Sequence, residues 1–262
     1  MSVLSRRCLL AALLLGAGLA QVSSHAQTPK KLRIGVEGAY PPFSEVGPDG
    51  QIKGFEIDLA RQWCAHMKRE CELVKTDFDG LIPALQARKI DAIVASLSIT
   101  PERKKAIAFS RPYYSTPQTF LAKAGTPADI SPAALKGKKI GVQSATINEA
   151  YVNALYSSSV ITRYATQDQA YLELKTGRID YSLVDKSAAL AFTQSPAGQG
   201  ISTVGPELRD RRYFGDGVGV GVRKADAAQL GAAFSAAIAA GQADGSFKAL
   251  AAKYFPYDIS PP

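Results

Sequence analysis

Ala95-Ser96-Leu97-Ser98-Ile99-Thr100-Pro101-Glu102-Arg103 joins two kinds of sequence. Before it, Ile90 to Val94 is a largely apolar, β-branched run that predicts a buried strand. After it, Thr100 followed by Pro101 predicts a helix start, a hydroxyl cap with proline at the first helical position. A strand therefore ends, hydroxyl residues emerge, and a helix N-terminus with the guanidinium of Arg103 in its first turn faces the same spot. Helix N-termini attract anions, and arginine forks onto carboxylates. The stretch predicts a small carboxylate-binding site; the plain alternative is a solvated Arg103 and a Thr100 that only caps.

Outward from this stretch, the pattern repeats. Leu32 to Val36 and Leu73 to Lys75 predict short strands, Glu56 to Met67 and Leu81 to Arg88 predict helices, and Glu37 to Phe43 and Thr76 to Gly80 predict loops. Strands alternating with helices predict an α/β fold with mainly parallel sheets. The second half echoes the first: Leu32-Arg-Ile-Gly-Val36 returns as Lys138-Lys-Ile-Gly-Val142, and Ala84-Leu-Gln-Ala-Arg-Lys-Ile-Asp91 as Leu172-Glu-Leu-Lys-Thr-Gly-Arg-Ile-Asp180. Two lobes of similar design are expected, followed by two amphipathic helices between Ala225 and Phe255. Ligands bind beyond the carboxyl ends of strands in such sheets. That rule pools the loops 37–43, 76–80, 95–103 and 143–148 with Asp185, which follows the strand Tyr181 to Val184.

The 262 residues suffice for one large or two medium domains, and 46% hydrophobic with 21% charged residues is ordinary for a soluble globular chain. The first 26 residues differ. Arg6 and Arg7 precede an apolar run from Cys8 to Ala20 and a small-x-small site at Ser24-His-Ala26, which predicts a cleaved secretory signal over 1–26 and export to the periplasm. Two of the cationic residues behind the net charge of +8 belong to that segment. The other basic residues are scattered, so no nucleic-acid track is expected. After cleavage Cys64 and Cys71 remain, an even pair that suggests one disulfide in an oxidising compartment. Seven residues of one straight helix would part their Cα atoms by about 10 Å, too far to bridge. The helix carrying Cys64 must therefore end before Cys71.

The pooled loops hold Arg103, several hydroxyls and aromatics, and the carboxylates Glu37, Asp77, Asp79 and Asp185. An arginine facing carboxylates across a cleft suits an α-amino acid, Arg103 to its carboxylate and Asp185 to its ammonium. Asp185 also reads as the cap of a helix beginning at Lys186, and the two roles coexist. Tyr40 and Phe78 read either as core aromatics or as walls for a ligand side chain, whose cationic end Glu37 would meet. His66 reads as structural. No catalytic, phosphate-binding or metal-ligand motif stands out, and no cofactor is expected.

Four motifs together resemble the periplasmic polar amino-acid-binding proteins of ABC importers: Gly54-Phe-Glu-Ile-Asp-Leu59, Asp77-Phe-Asp-Gly-Leu-Ile-Pro83, Ser96-Leu-Ser-Ile-Thr100 with Arg103, and Tyr213-Phe-Gly-Asp-Gly-Val-Gly219. The nearest likeness is to the lysine/arginine/ornithine- and histidine-binding proteins, over roughly 31 to 257, and it extends to the Cys64/Cys71 pair. It implies a type II periplasmic-binding-protein-like fold in which two strands hinge one lobe (27–114 plus 212–262) to another (115–211). It further implies that Arg103, Ser98 and the Thr146 backbone hold a ligand carboxylate, that Asp185 and Ser96 take the ammonium, and that Tyr40 and Phe78 sandwich the stem. Glu37 stands where that subgroup has aspartate, and Ala95 where a serine helps bind the side-chain head. Gln143, Ile147 and Asn148 replace leucine, threonine and glutamine.

The expected function is therefore a monomeric receptor that takes a cationic L-amino acid (arginine, lysine, ornithine or histidine) to an inner-membrane ABC permease. The altered pocket leaves open an opine, an arginine conjugate. Two further readings are a prephenate-type dehydratase on the same fold, which Glu37 opposes because its substrate is anionic, and a receptor read by a membrane sensor.

Overall fold

The computed structural model describes residues 31–261, so the signal segment expected over 1–26 lies outside the described residues. The chain opens with β1 (Leu32–Val36) and a small antiparallel meander of β2 (Ala39–Tyr40), β3 (Ser44–Val46) and β4 (Ile52–Lys53). Helix α1 (Phe55–His66) then buries Phe55, Ile57, Leu59, Ala60, Trp63 and Cys64, the apolar face set by the 3.6-residue period. It is followed by β5 (Cys71–Lys75), α2 (Leu81–Gln86), β6 (Ala92–Ile93), α3 (Pro101–Ala106) and β7 (Ala108–Tyr114). Thr100 caps α3 as its sequence predicts, its hydroxyl accepting from the Arg103 N–H at 3.2 Å. The ladder of β6 is shorter than the run 90–94 that predicts it. The Asp91 and Val94 N–H groups nevertheless donate to the β1 carbonyls of Arg33 and Gly35, so the run lies along β1 as expected.

The chain next crosses through 115–117 into a second sheet with β8 (Gln118–Lys123), β9 (Lys139–Gln143), α4 (Ile147–Leu155), β10 (Val160–Tyr164) and α5 (Gln167–Thr176). β11 (Tyr181–Asp185), α6 (Lys186–Gln194) and β12 (Ile201–Leu208) complete that lobe. The return through 209–217 carries α7 (Arg211–Phe214), whose Tyr213 and Phe214 pack on Tyr151 of α4. β13 (Val218–Val222), α8 (Ala232–Ala243) and α9 (Ser246–Ala251) end the described elements.

The two sheets share one plan. Their orders are β5-β1-β6-β13-β7 and β10-β9-β11-β8-β12. In each, four strands run in one direction, and the fourth in order, β13 or β8, runs against them. The sequence echoes mark equivalent positions. A Cβ on Gly35 of β1 would come within 2.4 Å of Ile90, and one on Gly141 of β9 within 2.4 Å of Ile179. Asp91 accepts from the Arg33 N–H at 3.2 Å, and Asp180 from the Lys139 N–H at 2.8 Å. The repeated glycine, isoleucine and aspartate thus lock the central strand to its neighbour in both lobes.

Cys64 and Cys71 form the expected disulfide, with Cα atoms 6.2 Å apart, because α1 stops at His66 and the chain turns back before β5. Closing so short a loop contributes about 2–3 kcal/mol through the unfolded state. A C64S/C71S variant is expected to melt about 5–10 °C lower. An unchanged melting temperature would show the bridge to be energetically idle.

Candidate functional site

A cavity of about 240 Å³ lies between the lobes. That is below the usual range of about 300–1,000 Å³ for drug-sized ligands and suits a compact solute. Its wall includes Glu37, Tyr40, Phe78, Ser96, Ser98, Arg103, Gln143, Thr146, Asn148 and Asp185. Glu37, Phe78 and Ser96 follow β1, β5 and β6, while Gln143 and Asp185 end β9 and β11. Parallel strands deliver their carboxyl ends to one edge of each sheet, so residues far apart in sequence converge there. Ala95 is the exception. It packs among Leu81, Leu85 and Ile90 in the first lobe and does not line the cavity, because the side chain before Ser96 points into the core.

Arg103 sits in the first turn of α3, with its guanidinium donating to two backbone carbonyls, Ser98 in its own lobe and Ala145 in the other, both at 3.1 Å. The Phe78 ring lies 5.5 Å beneath it. Among the described residues no carboxylate pairs with it, and desolvation lowers its pKa to about 10. Ser96 and Ala145, on the two sides, both adopt positive φ, 51° and 60°. Non-glycine residues held there are strained, and such strain concentrates at binding sites.

Two carboxylates face this cation. Asp185 caps α6: its Oδ1 accepts from the Ser187 N–H at 2.7 Å and its Oδ2 from the Thr116 hydroxyl. Burial raises its pKa against those bonds. Glu37 accepts from the Gln143 Nε2 of the opposite lobe at 2.6 Å. Burial pushes its pKa up to about 7, with the charges of Glu56, Asp168 and Asp77 adding to the shift and the Gln143 bond opposing it. Neither carboxylate has a cationic partner among the described residues. Arg209 and Arg211 also border the cavity, but they pair with Glu207 at 3.0 Å and Asp216 at 2.5 Å.

The aromatic wall is built from the core outward. Tyr40 stacks on Phe43 (5.6 Å between centroids, 16° between planes), which stacks in turn on Tyr114 (5.1 Å, 15°). Phe43 and Tyr114 are buried, so Tyr40 is held upright at the cavity wall. On the second lobe, Thr146 caps α4 and donates to the Gln143 carbonyl at 2.7 Å, and the buried Asn148 Oδ1 has no partner among the described residues. An unpartnered acceptor in a cavity wall is a group awaiting a donor.

Glu56 is a residue to which the sequence assigned no role. It is wholly buried on α1 and accepts from the Ser96 N–H at 2.8 Å, the Ser96 hydroxyl at 3.1 Å and the Tyr113 hydroxyl. It holds Ser96 in its strained conformation, and burial raises its pKa to about 7. The signal was present: Glu56 falls on the same helical face as Leu59, Ala60 and Trp63. Thr116, Gln118 and Gln167 also reach the cavity wall without any local sequence mark.

Residues 32–257 match the model of the bacterial extracellular solute-binding proteins, family 3. The chain belongs to that family. It is 45% identical over 233 residues to the L-arginine-binding protein of Pseudomonas aeruginosa, covering 88% of this chain and 90% of that protein. It is 42% identical over 250 residues to the lysine/arginine/ornithine-binding periplasmic protein of Escherichia coli, covering 94% and 95%. An ancestral arginine-binding protein bound to arginine superposes with a TM-score of 0.80 at 34% identity, covering 86% of this chain and 98% of that one. The expected type II binding-protein fold is thereby established for this family member.

Proposed function

We propose that this solute-binding protein takes up a cationic L-amino acid between its lobes in the periplasm and presents it to an ABC importer in the inner membrane. The observation that carries the reading is the charge inventory of the cavity. One guanidinium, Arg103, and two carboxylates, Asp185 and Glu37, face the same space without ionic partners among the described residues. Their complement is a molecule with one negative and two positive groups, which is a cationic amino acid. Buried charges of this kind are costly until they are paired.

In this reading Arg103, Ser98 and the Thr146 backbone hold the α-carboxylate, and Asp185 with Ser96 takes the α-ammonium. Tyr40 and Phe78 flank the stem, and Glu37, Gln143 and Asn148 receive the side-chain end. The lobes divide at the crossings 115–117 and 209–217. A ligand that touches both sides favours the closed arrangement by its differential affinity for it. The protein binds and releases without chemistry: the unpaired cavity charges sum to one negative, unsuited to the dianionic substrate of a prephenate-type dehydratase.

Calorimetric titration of refolded residues 27–262 tests the proposal with arginine, lysine, ornithine, histidine, glutamine, glutamate and octopine. Binding of one or more cationic amino acids with glutamine and glutamate silent is the expected result. Silence across the panel would contradict it. Arg209 and Arg211 at the cavity border favour one second reading, an opine with an additional carboxylate; binding of octopine alone would select it.

A further inference from the structure

Gln143 is the last residue of β9, is buried, and reaches from the second lobe to Glu37 of the first. Its Nε2 donates both to Glu37 Oε1 at 2.6 Å and to the Ala165 carbonyl at 3.1 Å. Both amide hydrogens are thereby committed to acceptors. The flipped amide would set its oxygen against the same two acceptors, so the bonding fixes its orientation. The Gln143 oxygen is left accepting from no described residue, in a side chain that borders the cavity.

We infer that Gln143 and Glu37 act as one composite acceptor for the ligand's cationic head, and that this pair selects a guanidinium over a primary ammonium. The inference rests on the cationic amino-acid reading of the cavity. Gln143 occupies one oxygen of Glu37, so the carboxylate is not offered whole. An incoming head meets a Glu37 oxygen and the Gln143 oxygen, two acceptors on different groups held side by side by the bond between them. A guanidinium presents five N–H donors in a rigid plane, is weakly hydrated, and can serve separated acceptors at once. An ammonium is a compact, strongly hydrated point charge, and dividing its counter-charge takes away part of what repays its desolvation. The Glu37–Gln143 bond also spans the cleft, but a contribution to closure would change the affinity of every ligand by one factor. The ratio of arginine to lysine affinity therefore isolates the selective role.

Wild type, Gln143→Leu and Gln143→Met are titrated as residues 27–262 with arginine and lysine, using displacement of arginine where lysine binds weakly. Methionine keeps the length of the side chain, and thermal melts confirm that the variants fold. Losing the Gln143 acceptor is expected to lower arginine affinity about tenfold while lysine changes by less than about threefold, so the ratio falls. An unchanged or raised ratio, or loss of both ligands by folded variants, overturns the inference alone. A wild-type protein that binds neither amino acid overturns the cationic reading of the cavity as well.

Discussion

Replacing Arg103 with alanine is expected to weaken arginine binding by about two orders of magnitude or more. Among the described residues the guanidinium donates only to the carbonyls of Ser98 and Ala145, and its desolvation already lowers its pKa to about 10. In the proposed complex the ligand carboxylate would supply the missing anion. Without Arg103 that carboxylate is buried unpaired, at a cost of about 3–5 kcal/mol, or about 150- to 4,000-fold in affinity. The same substitution removes a desolvated, uncompensated charge from the protein itself. The variant's own melting temperature should therefore hold or rise, while the rise caused by added arginine disappears. Calorimetry and thermal melts with and without arginine read both effects. Retained affinity would show that the α-carboxylate binds elsewhere, and a large loss of intrinsic stability would make Arg103 a structural residue.

The second large effect belongs to Glu37. Glu37→Gln is expected to cost at least about thirtyfold in affinity for arginine and lysine, the lower end for losing one partner of a buried charge pair. Its affinity for glutamine should improve, because an amide side chain can meet an amide. The wild type should also show a pH signature that the variant lacks. Burial raises the Glu37 pKa from 4.5 to about 7, so between those values the folded chain holds a proton that the unfolded chain releases. This group's contribution to folding stability is thus full below about 4.5 and lost as pH rises through about 7. A bound cation favours the ionised form, so affinity should rise with pH through about 7, and binding below that value should expel a proton. Titration in buffers of different ionisation enthalpy counts that proton. Glu56 also has its pKa raised to about 7, but it meets Ser96 and Tyr113 and does not line the cavity. A pH dependence that persists in Glu37→Gln would assign the proton to Glu56 or to Asp185, whose pKa burial also raises, and contradict the role given to Glu37.

The strand-to-helix junction around Thr100 was legible because its signals are local: a hydroxyl cap, a proline behind it, and an apolar run before it. The convergence of Glu37, Phe78, Ser96, Gln143 and Asp185 was also legible, since strand ends in sheets of this order point to one edge. Ala95 lies in the core rather than at the cavity wall because the backbone turns to positive φ at Ser96, and local periodicity does not say which of two neighbours then faces the cavity. Glu56 lay on an apolar helical face, where an acid is conspicuous, but its partners Ser96 and Tyr113 are 40 and 57 residues away. The bond from Gln143 to Glu37 spans 106 residues and exists only because two separately wound sheets meet. Such long-range pairings leave no periodic trace in the chain.

The most direct test of two-ended recognition is calorimetric titration of wild-type residues 27–262 with L-arginine, L-citrulline and agmatine. Citrulline keeps the shape of arginine without its side-chain charge, and agmatine keeps the guanidinium without the carboxylate. Arg103 and Glu37 acting at opposite ends predict that each analogue binds at least about thirtyfold more weakly than arginine, agmatine the weakest. Agmatine binding as tightly as arginine would contradict the account at Arg103, and citrulline doing so would contradict it at Glu37.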